Sequence, residues 1–417
     1  MEAVIHSPAP SRISDNIPKS YVYSFVSSFG LTDAIWMLYL AHRGMSLLEI
    51  GLLESIFHLT SLVMEIPTGV VADRFGRRTS RILSRAVACS ATLMMLASSD
   101  FPGFAFAFVL TALGHNLESG AGDALVYDSL VDLGREGEYM KVKGRQEIGY
   151  QSAHGLSLVA GGAVATFDYN LAYLLTAGIH LASLGLALGF SEPLAGRAPQ
   201  GSRRPSLLIH IQVSISIIRS NSTIFIYILF LETFSLFYTT LYFWFQTFLK
   251  SEGWLEWSIG LTLGASSAAA VLMATQAHRI EALAGRKAVV GTAPFLAMAF
   301  FGLIAVPTGS PAGLAGSSAI PAACAIVALS AIEGFLFVTF SDYINRLIPS
   351  ENRATLLSFQ AMIFSVMMII FFPAMGALAS AFGYRKAFAA VFAASVPVLL
   401  ATRAWLLGDI RRSQGSN

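Results

Sequence analysis

Five acidic residues lie near the middle of long apolar stretches, where an ionised side chain is costly: Asp33, Glu54, Glu118, Glu232 and Glu333. A charge at the centre of a membrane helix costs about 2.5 to 3.5 kcal/mol on insertion scales, so each acid needs a compensating role. Buried carboxyls can exchange protons or bind cations. Each could instead form a structural hydrogen bond, as Glu54 could with His58 one turn away.

Helical spacing places two of these acids on polar stripes. The first stripe is Glu54, His58, Ser61 and Glu65; the second is Glu232, Ser235, Thr239, Tyr242 and Gln246. Steps of three and four residues put side chains on one face of a helix. A single polar stripe on an apolar helix indicates that water or a substrate faces it.

Composition defines the protein class that positions these acids. The chain has 417 residues, 55% hydrophobic and only 12% charged, with a mean hydropathy of +0.63. These values exclude a soluble globule and predict a polytopic membrane protein. The net charge of +2 leaves no basic face for nucleic acid. Neither Cys89 nor Cys324 has a Cys-x-x-Cys neighbour, and no cofactor or metal is predicted.

Twelve apolar runs are long enough to cross a bilayer, which predicts an all-α integral membrane protein with 12 transmembrane helices. We number these predicted spans 1 to 12. They lie at 21–41, 50–71, 82–98, 101–126, 148–166, 171–190, 223–245, 258–277, 288–306, 319–340, 356–381 and 387–407. Three regions follow: an N-terminal six-helix bundle (1–190), a linker (191–222) with a possible interfacial helix, and a C-terminal six-helix bundle (223–417).

Positive charge predicts the orientation of the spans. Only Arg43, Lys250, Arg385 and Lys386 fall on the predicted outer side, and the other Lys and Arg residues lie on or near the inner one. Positive residues accumulate on the cytoplasmic side of membrane proteins. We therefore expect a multi-pass protein of the inner or plasma membrane with both termini cytoplasmic. The first 20 residues lack the apolar core of a secretory signal.

An internal repeat supports two related bundles. Asp342 follows Asp128 by 214 positions, each beside a tyrosine and a serine, and Gly285 follows Gly76 by 209 positions, each before a basic pair. Similar offsets suggest a duplicated six-helix unit.

The loop after span 2 reads Gly69-Val-Val-Ala-Asp73-Arg74-Phe-Gly76-Arg77-Arg78. With twelve spans and the repeat, it resembles the signature loop of the major facilitator superfamily, and the resemblance covers nearly the whole chain. It implies two pseudo-symmetric bundles that work by alternating access. It also implies a conformational latch of Gly69, Asp73, Arg74, Gly76, Arg77, Arg78 and Asp128, in which Asp73 faces span 11 and Arg77 pairs with Asp128. The loop arginines could instead only fix topology.

Two features depart from the drug and proton antiporters that the chain also resembles. Asn116 stands four residues before Gly120, where many proton-coupled members have arginine. Span 5 lacks the Gly-Pro of the antiporter signature, although Ala153, Ser157 and Gly161 keep the small residues that permit close helix packing.

The superfamily's central cavity is lined by spans 1, 2, 4, 5, 7, 8, 10 and 11, which include every span with a central acid. The candidate proton-coupling or substrate-binding residues are Asp33, Glu54, His58, Glu118, Glu232, Tyr242 and Glu333. No central Lys or Arg of those spans balances the acids, which favours protons or organic cations over anions.

We therefore predict a monomeric secondary transporter, not an enzyme, that exports a lipophilic or cationic small molecule in exchange for protons. Uptake or facilitated passage of a neutral solute is the alternative, because the antiporter Gly-Pro is missing. Metal transport through the methionines of span 11 is less favoured, because methionine usually serves flexible apolar packing. The motifs of zinc, serine and P-loop enzymes are absent from the sequence.

Overall fold

The computed structural model describes residues 10–195, 222–306, 317–348 and 353–415. The predicted interfacial helix of the linker lies outside these residues. Nine helices form in the N-terminal half: α1 (Pro10–Ser14), α2 (Asn16–Ser27), α3 (Trp36–His42), α4 (Leu47–Phe75), α5 (Arg77–Ala97), α6 (Phe101–Glu118), α7 (Ala121–Asp132), α8 (Tyr139–Ala165) and α9 (Tyr169–Leu188). Six form in the C-terminal half: α10 (Ser222–Ser251), α11 (Glu256–Ala284), α12 (Arg286–Ala305), α13 (Ile320–Leu347), α14 (Arg353–Phe382) and α15 (Tyr384–Gly415).

Eight helices of the described ranges are long and apolar enough to span a membrane, namely α4, α9 and α10 to α15. The remaining predicted spans are 1, 3, 4 and 5. Span 3 is helix α5, whose first turns carry several arginines, and span 5 is α8, which begins with a charged stretch at Tyr139. Spans 1 and 4 are each divided between two shorter helices.

The described residues form two compact units. The first unit takes in the chain up to Asp33 and from Ile56 through the rest of the N-terminal half, and the second takes in Ala34–Ser55 with the C-terminal half. Within the first unit, α5 packs against α6 and α9; within the second, α12 packs against α13 and α15. Span 3 thus contacts spans 4 and 6 as span 9 contacts spans 10 and 12, which is the packing that duplicated bundles require.

The turns before α5 and α12 repeat the same backbone geometry. Gly76 has φ 98° and ψ 156°, and Gly285 has φ 77° and ψ 152°. Positive φ is strained for residues with a Cβ, so glycine is needed at each turn. The sequence repeat between these loops therefore corresponds to a repeated structural turn.

Span 1 was predicted as one helix, but its backbone leaves the helix between Ser27 and Trp36. The break is packed by Gly161 of α8, where any Cβ would collide with the Leu31 carbonyl. Span 4 is interrupted between Glu118 and Ala121, where Gly120 has φ 76°. The corresponding helices of the C-terminal half, α10 and α13, are continuous over 30 and 28 residues.

The segment Ala34–Ser55 makes its close contacts within the second unit. Gly51 lies against the backbone of Pro373, and Gly376 lies against the Leu47 carbonyl, so neither position has room for a side chain. The Ser55 hydroxyl donates to the Ile369 carbonyl at 2.8 Å. Small residues allow helices to approach closely enough for such backbone contact.

Candidate functional site

Glu118 is balanced by two arginines that lie outside the predicted cavity spans. Its Oε1 lies 3.1 Å from Arg81 Nε, and its Oε2 lies 4.0 Å from Arg85 Nη2. The Tyr23 hydroxyl donates to Oε2 at 2.8 Å. The carboxylate at the break in span 4 is therefore part of an ion-pair network, and both arginines come from span 3.

The Arg81 guanidinium is almost fully buried, with 3% of the residue exposed. It lies 4.3 Å from the Tyr23 ring centroid and 4.9 Å from that of Phe190. Aromatic faces stabilise a cation that has lost its water. The signal for this role in the sequence is the spacing of four residues from Arg81 to both Arg77 and Arg85, which places the three arginines on one helix face.

Asp33 lies in the break of span 1 and pairs with His154 of α8. Asp33 Oδ2 is 3.5 Å from His154 Nδ1. The ring of Tyr150 stacks with the His154 ring, with centroids 6.1 Å apart and an interplanar angle of 12°.

The polar stripe of span 2 is partly occupied by protein contacts. Ser61 donates to Asn116 Oδ1 at 2.7 Å, and Asn116 Nδ2 donates back to the Ser61 carbonyl at 2.7 Å. Asn116 thus joins α6 to α4. His58 is buried with its ring edge-on to Phe57. Glu54 is also buried, and it belongs to the second unit.

The acids of the C-terminal half face uncharged partners. Gln360 Nε2 of α14 donates to Glu232 Oε1 at 2.5 Å. Neither Glu232 nor Glu333 forms an ion pair or interacts with a charged group among the described residues. Burial of a carboxylate without a counter-ion is costly in the apolar interior. Of the five candidate acids, these two would therefore be stabilised most by a proton or a bound cation.

Aromatic side chains lie near Glu333, which interacts electrostatically with Tyr238. The Tyr238 hydroxyl donates to Ser330 Oγ at 2.9 Å, one turn before Glu333 on α13. The Tyr238 ring is 5.7 Å from the Tyr242 ring, which in turn contacts Phe243. We call Glu232, Glu333, Gln360, Tyr238 and Tyr242 the C-terminal polar cluster. Asp33 and Glu232, both candidate proton-coupling residues, belong to different units.

The signature loop forms a compact set of contacts within the first unit. Arg77 Nη1 lies 2.7 Å from Asp73 Oδ1, and Arg77 Nε lies 3.7 Å from Asp128 Oδ2. Arg78 Nη2 donates to the Leu188 carbonyl at 2.8 Å, and the Arg74 guanidinium lies over the Phe75 ring. Gly69 lies within α4.

Glu192 is a contributor to this loop that sequence analysis missed. Its carboxylate accepts hydrogen bonds from the backbone N–H groups of Arg77 at 2.6 Å and Arg78 at 2.8 Å. Its carboxylate also crowds Gly76, leaving no room for a Cβ there. An acid at the amino end of a helix satisfies unpaired N–H groups and the helix dipole. Its sequence position, just after span 6, gave no sign that it would cap α5.

The matching turn of the C-terminal half uses aromatic contacts. Arg286 Nε donates to the Tyr227 hydroxyl at 2.7 Å, and its guanidinium lies 4.8 Å from the Tyr343 ring centroid. The Tyr343 hydroxyl donates to Glu281 at 2.9 Å.

No group of three or more potential His, Cys, Asp or Glu metal ligands occurs in the described ranges. Met368 and Met375 of α14 are buried. Burial in apolar surroundings agrees with a packing role for these methionines.

Two helical units with repeated packing, broken helices and acids inside the membrane define a secondary transporter. A family model described as "Major Facilitator Superfamily" matches residues 20–371. The chain belongs to the Major Facilitator Superfamily. The predicted fold class is thereby confirmed, and the protein is a membrane transporter of small molecules rather than an enzyme.

Known proteins agree with this assignment. The chain is 23% identical over 407 residues to the "Uncharacterized MFS-type transporter YxaM" of Bacillus subtilis (strain 168), covering 92% of this chain and 95% of that protein. The crystal structure of the nucleoside transporter NupG (D323A mutant) superposes with a TM-score of 0.76 at 12% identity, covering 93% of this chain and 99% of that one. Tetrameric PepTSo2 gives a TM-score of 0.69 at 13% identity, with 96% and 99% covered. Similarity to solved structures at such identity shows the fold alone.

Proposed function

We propose that this transporter expels a lipophilic or cationic small molecule in exchange for protons. The observation that carries the proposal is the C-terminal polar cluster, where Glu232 and Glu333 lack charged partners among the described residues. A carboxyl in such a place is stabilised by either a proton or a substrate cation. Competition between the two at one site couples their movements in opposite directions during alternating access.

The choice of a cation rests on charge and on aromatic surface. A second negative charge near Glu232 and Glu333 would be repelled strongly in poorly screened surroundings. The faces of Tyr238 and Tyr242 can bind flat or cationic compounds by stacking and cation–π attraction. Glu118 of the N-terminal half adds little to this selectivity for cations, because Arg81 and Arg85 already balance its charge.

The deciding experiment measures uptake of ethidium into inside-out proteoliposomes with an imposed pH gradient. Glu232→Gln and Glu333→Gln should each reduce gradient-driven uptake at least tenfold. Glu138→Gln is the matched control, because Glu138 is an exposed carboxylate that binds Arg135 in the turn before α8. Wild-type transport of ethidium that is indifferent to the gradient, or unaffected by both cluster variants, would overturn the proposal.

Passage of a neutral solute remains the second candidate. The hydrogen-bonding pairs Glu232–Gln360 and Tyr238–Ser330 could bind polar uncharged groups, and NupG is a nucleoside transporter of similar fold. Competition distinguishes the two functions. Saturable uptake of a nucleoside that ethidium does not inhibit, together with absent ethidium transport, would support the neutral solute.

We also propose that the protein works as a monomer, that both termini face the cytoplasm and that the loop around Asp73 latches the inner side. The arginines at and after this loop support the orientation. Single cysteines at Glu136, in the turn before α8, and at Leu255, before α11, should label from opposite sides of the membrane. Labelling of both from the outside of intact cells would overturn the orientation.

A further inference from the structure

The break in span 1 is fixed to helix α8. Residues between Ser27 and Trp36 leave the helix, and non-helical backbone at membrane depth is tolerated only where protein or a water-filled cavity covers it. Gly161 provides that cover, because its missing side chain lets α8 contact the Leu31 carbonyl. The break therefore has a defined position against one face of α8.

His154 lies on that same face of α8, seven residues or about two turns before Gly161. Its Nδ1 atom is 3.5 Å from Asp33 Oδ2. The Tyr150 ring, one turn earlier, stacks with the imidazole and holds its plane. The two groups attract as an ion pair only when the imidazole carries a second proton.

The Asp33 carboxylate is placed by its own turn. A Cβ on Gly30 would lie 2.7 Å from Asp33 Oδ2, so the carboxylate folds back over a glycine, and the Asp33 N–H donates to the Gly30 carbonyl at 3.2 Å. The Asp33 side chain is 47% exposed and that of His154 is 29% exposed. Other protein atoms therefore leave part of the pair uncovered.

Helix α8, which carries His154, packs against α2, α7 and α9 within the first unit. Tyr150 of α8 and His180 of α9 interact electrostatically with Asp33. Several charged or titratable groups on these helices contact other residues: Lys19 donates to the Gly189 carbonyl, Tyr23 to Glu118 and Lys143 to Asp123, and Asp128 pairs with Arg77.

We propose that His154 is the proton acceptor of the N-terminal half, and that Asp33 positions and stabilises its protonated form. A proton from water on the outer side adds to the imidazole, whose Nδ1–H then donates to the Asp33 carboxylate. The proton returns to water on the inner side after a conformational change has opened the site to that side. This inference rests on the proposed proton-coupled export and adds its acceptor. The protonated pair ties α8 to the break in span 1, so protonation would bias the conformation of that break.

The test separates coupling from transport itself. In proteoliposomes with His154→Gln, the ratio of pH-gradient-driven ethidium uptake to ethidium exchange without a gradient should fall at least tenfold. Asp33→Asn should give the same loss, and the double variant should be no worse than either single one, because the two residues act as one unit. His180→Gln is the matched control: it removes a neighbouring imidazole, and its ratio of driven uptake to exchange should equal the wild type's.

A positively charged replacement tests the ion pair directly. His154→Lys should hold a permanent positive charge beside Asp33 and make exchange independent of pH between 6 and 8, whereas wild-type exchange varies in that range. Thermal unfolding of each purified variant identifies any that fail to fold. Gradient-driven wild-type uptake that persists fully in His154→Gln would overturn the inference and leave the proposed function intact. Wild-type uptake that ignores the gradient would overturn the proposed function itself.

Discussion

The two halves differ in the side chains that surround their acids. In the N-terminal half, Asp33 and Glu118 sit at helix breaks, and each has a basic side chain from a neighbouring helix, His154 or Arg81. In the C-terminal half, Glu232 and Glu333 lie on continuous helices with neutral neighbours. Asp33 and Glu118 of the N-terminal half therefore lie beside basic side chains, whereas Glu232 and Glu333 of the C-terminal half have none beside them among the described residues.

This difference distinguishes acids that are held in their ionised form by basic neighbours from acids that can take up a proton or bind a cation. An ion-paired carboxylate between arginines is stabilised in its ionised form and has little reason to take a proton. Glu232, whose hydrogen-bond partner is the amide of Gln360, has no positive charge to hold it in the ionised form. Helix breaks add to the contrast, because exposed backbone groups at a break need polar neighbours, whereas a continuous helix satisfies its own. Glu118 accordingly fits an architectural role better than a transport role.

The largest expected effect concerns the ion-pair network at Glu118. Arg81→Met should lower the free energy of unfolding by about 3 kcal/mol, because it leaves a buried carboxylate with only the more distant Arg85. Urea unfolding of the protein in detergent measures this loss.

Adding Glu118→Gln to Arg81→Met should recover much of the stability, because the stranded charge is removed. Glu232→Gln, made in the other half, should change stability little. A large loss for Glu232→Gln and none for Arg81→Met would reverse the comparison between the halves.

The next effect concerns the packing of the break in span 1. Gly161→Ala should destabilise the protein by about 1 to 3 kcal/mol, since the new methyl group collides with the Leu31 carbonyl and core overpacking costs that much. Gly178→Ala is the control, because Gly178 on α9 has open space around it. Thermal unfolding compares the two. Equal stability of both variants would show that α8 does not support the break.

The break in span 1 is a feature of the fold that the sequence did not predict. Apolar runs, loop charges and the motif around Asp73 were sufficient for the fold, because each span must be apolar whatever its neighbours are. Residues 28–35 contain one glycine, Gly30, one acid, Asp33, and no proline, so the sequence gives no clear signal for a helix break there. The break depends on contact between Leu31 and Gly161, which are 130 residues apart in the sequence. Gly161 was noted as a packing residue, but its partner could not be deduced.

The sequence identified the candidate acids but not the side chains that contact them. The spacing of Glu232 and Tyr242 placed both on one face of span 7. The pairing of Glu118 with Arg81 was missed because span 3 was treated as peripheral, and long arginine side chains can reach inward from such a helix. Glu192 was missed because a cap from a distant loop leaves no local pattern.

A smaller effect is expected for Glu192, which caps α5 from the end of span 6. Glu192→Gln should cost about 1 kcal/mol, because a neutral amide is a poorer acceptor for the Arg77 and Arg78 N–H groups and loses the favourable interaction with the helix dipole. Glu136→Gln serves as an exposed control in the turn before α8. Hydrogen exchange of the first turn of α5 measures the cap, and unchanged protection there would exclude this role for Glu192.

The smallest effect distinguishes the two repeated turns by their response to salt. Arg77→Ala removes ion pairs with Asp73 and Asp128, whose side chains are partly exposed at 22% and 14%, so about 1 kcal/mol should be lost at low ionic strength and less at high salt. Arg286→Ala removes a hydrogen bond to Tyr227 and contact with the Tyr343 ring, and its cost of about 1 kcal/mol should depend less on salt. Thermal unfolding of both variants at 0.01 M and 1 M NaCl, where the Debye length falls from about 30 Å to 3 Å, measures the difference. Equal salt dependence would mean that the two turns are held by the same kind of force despite their different partners.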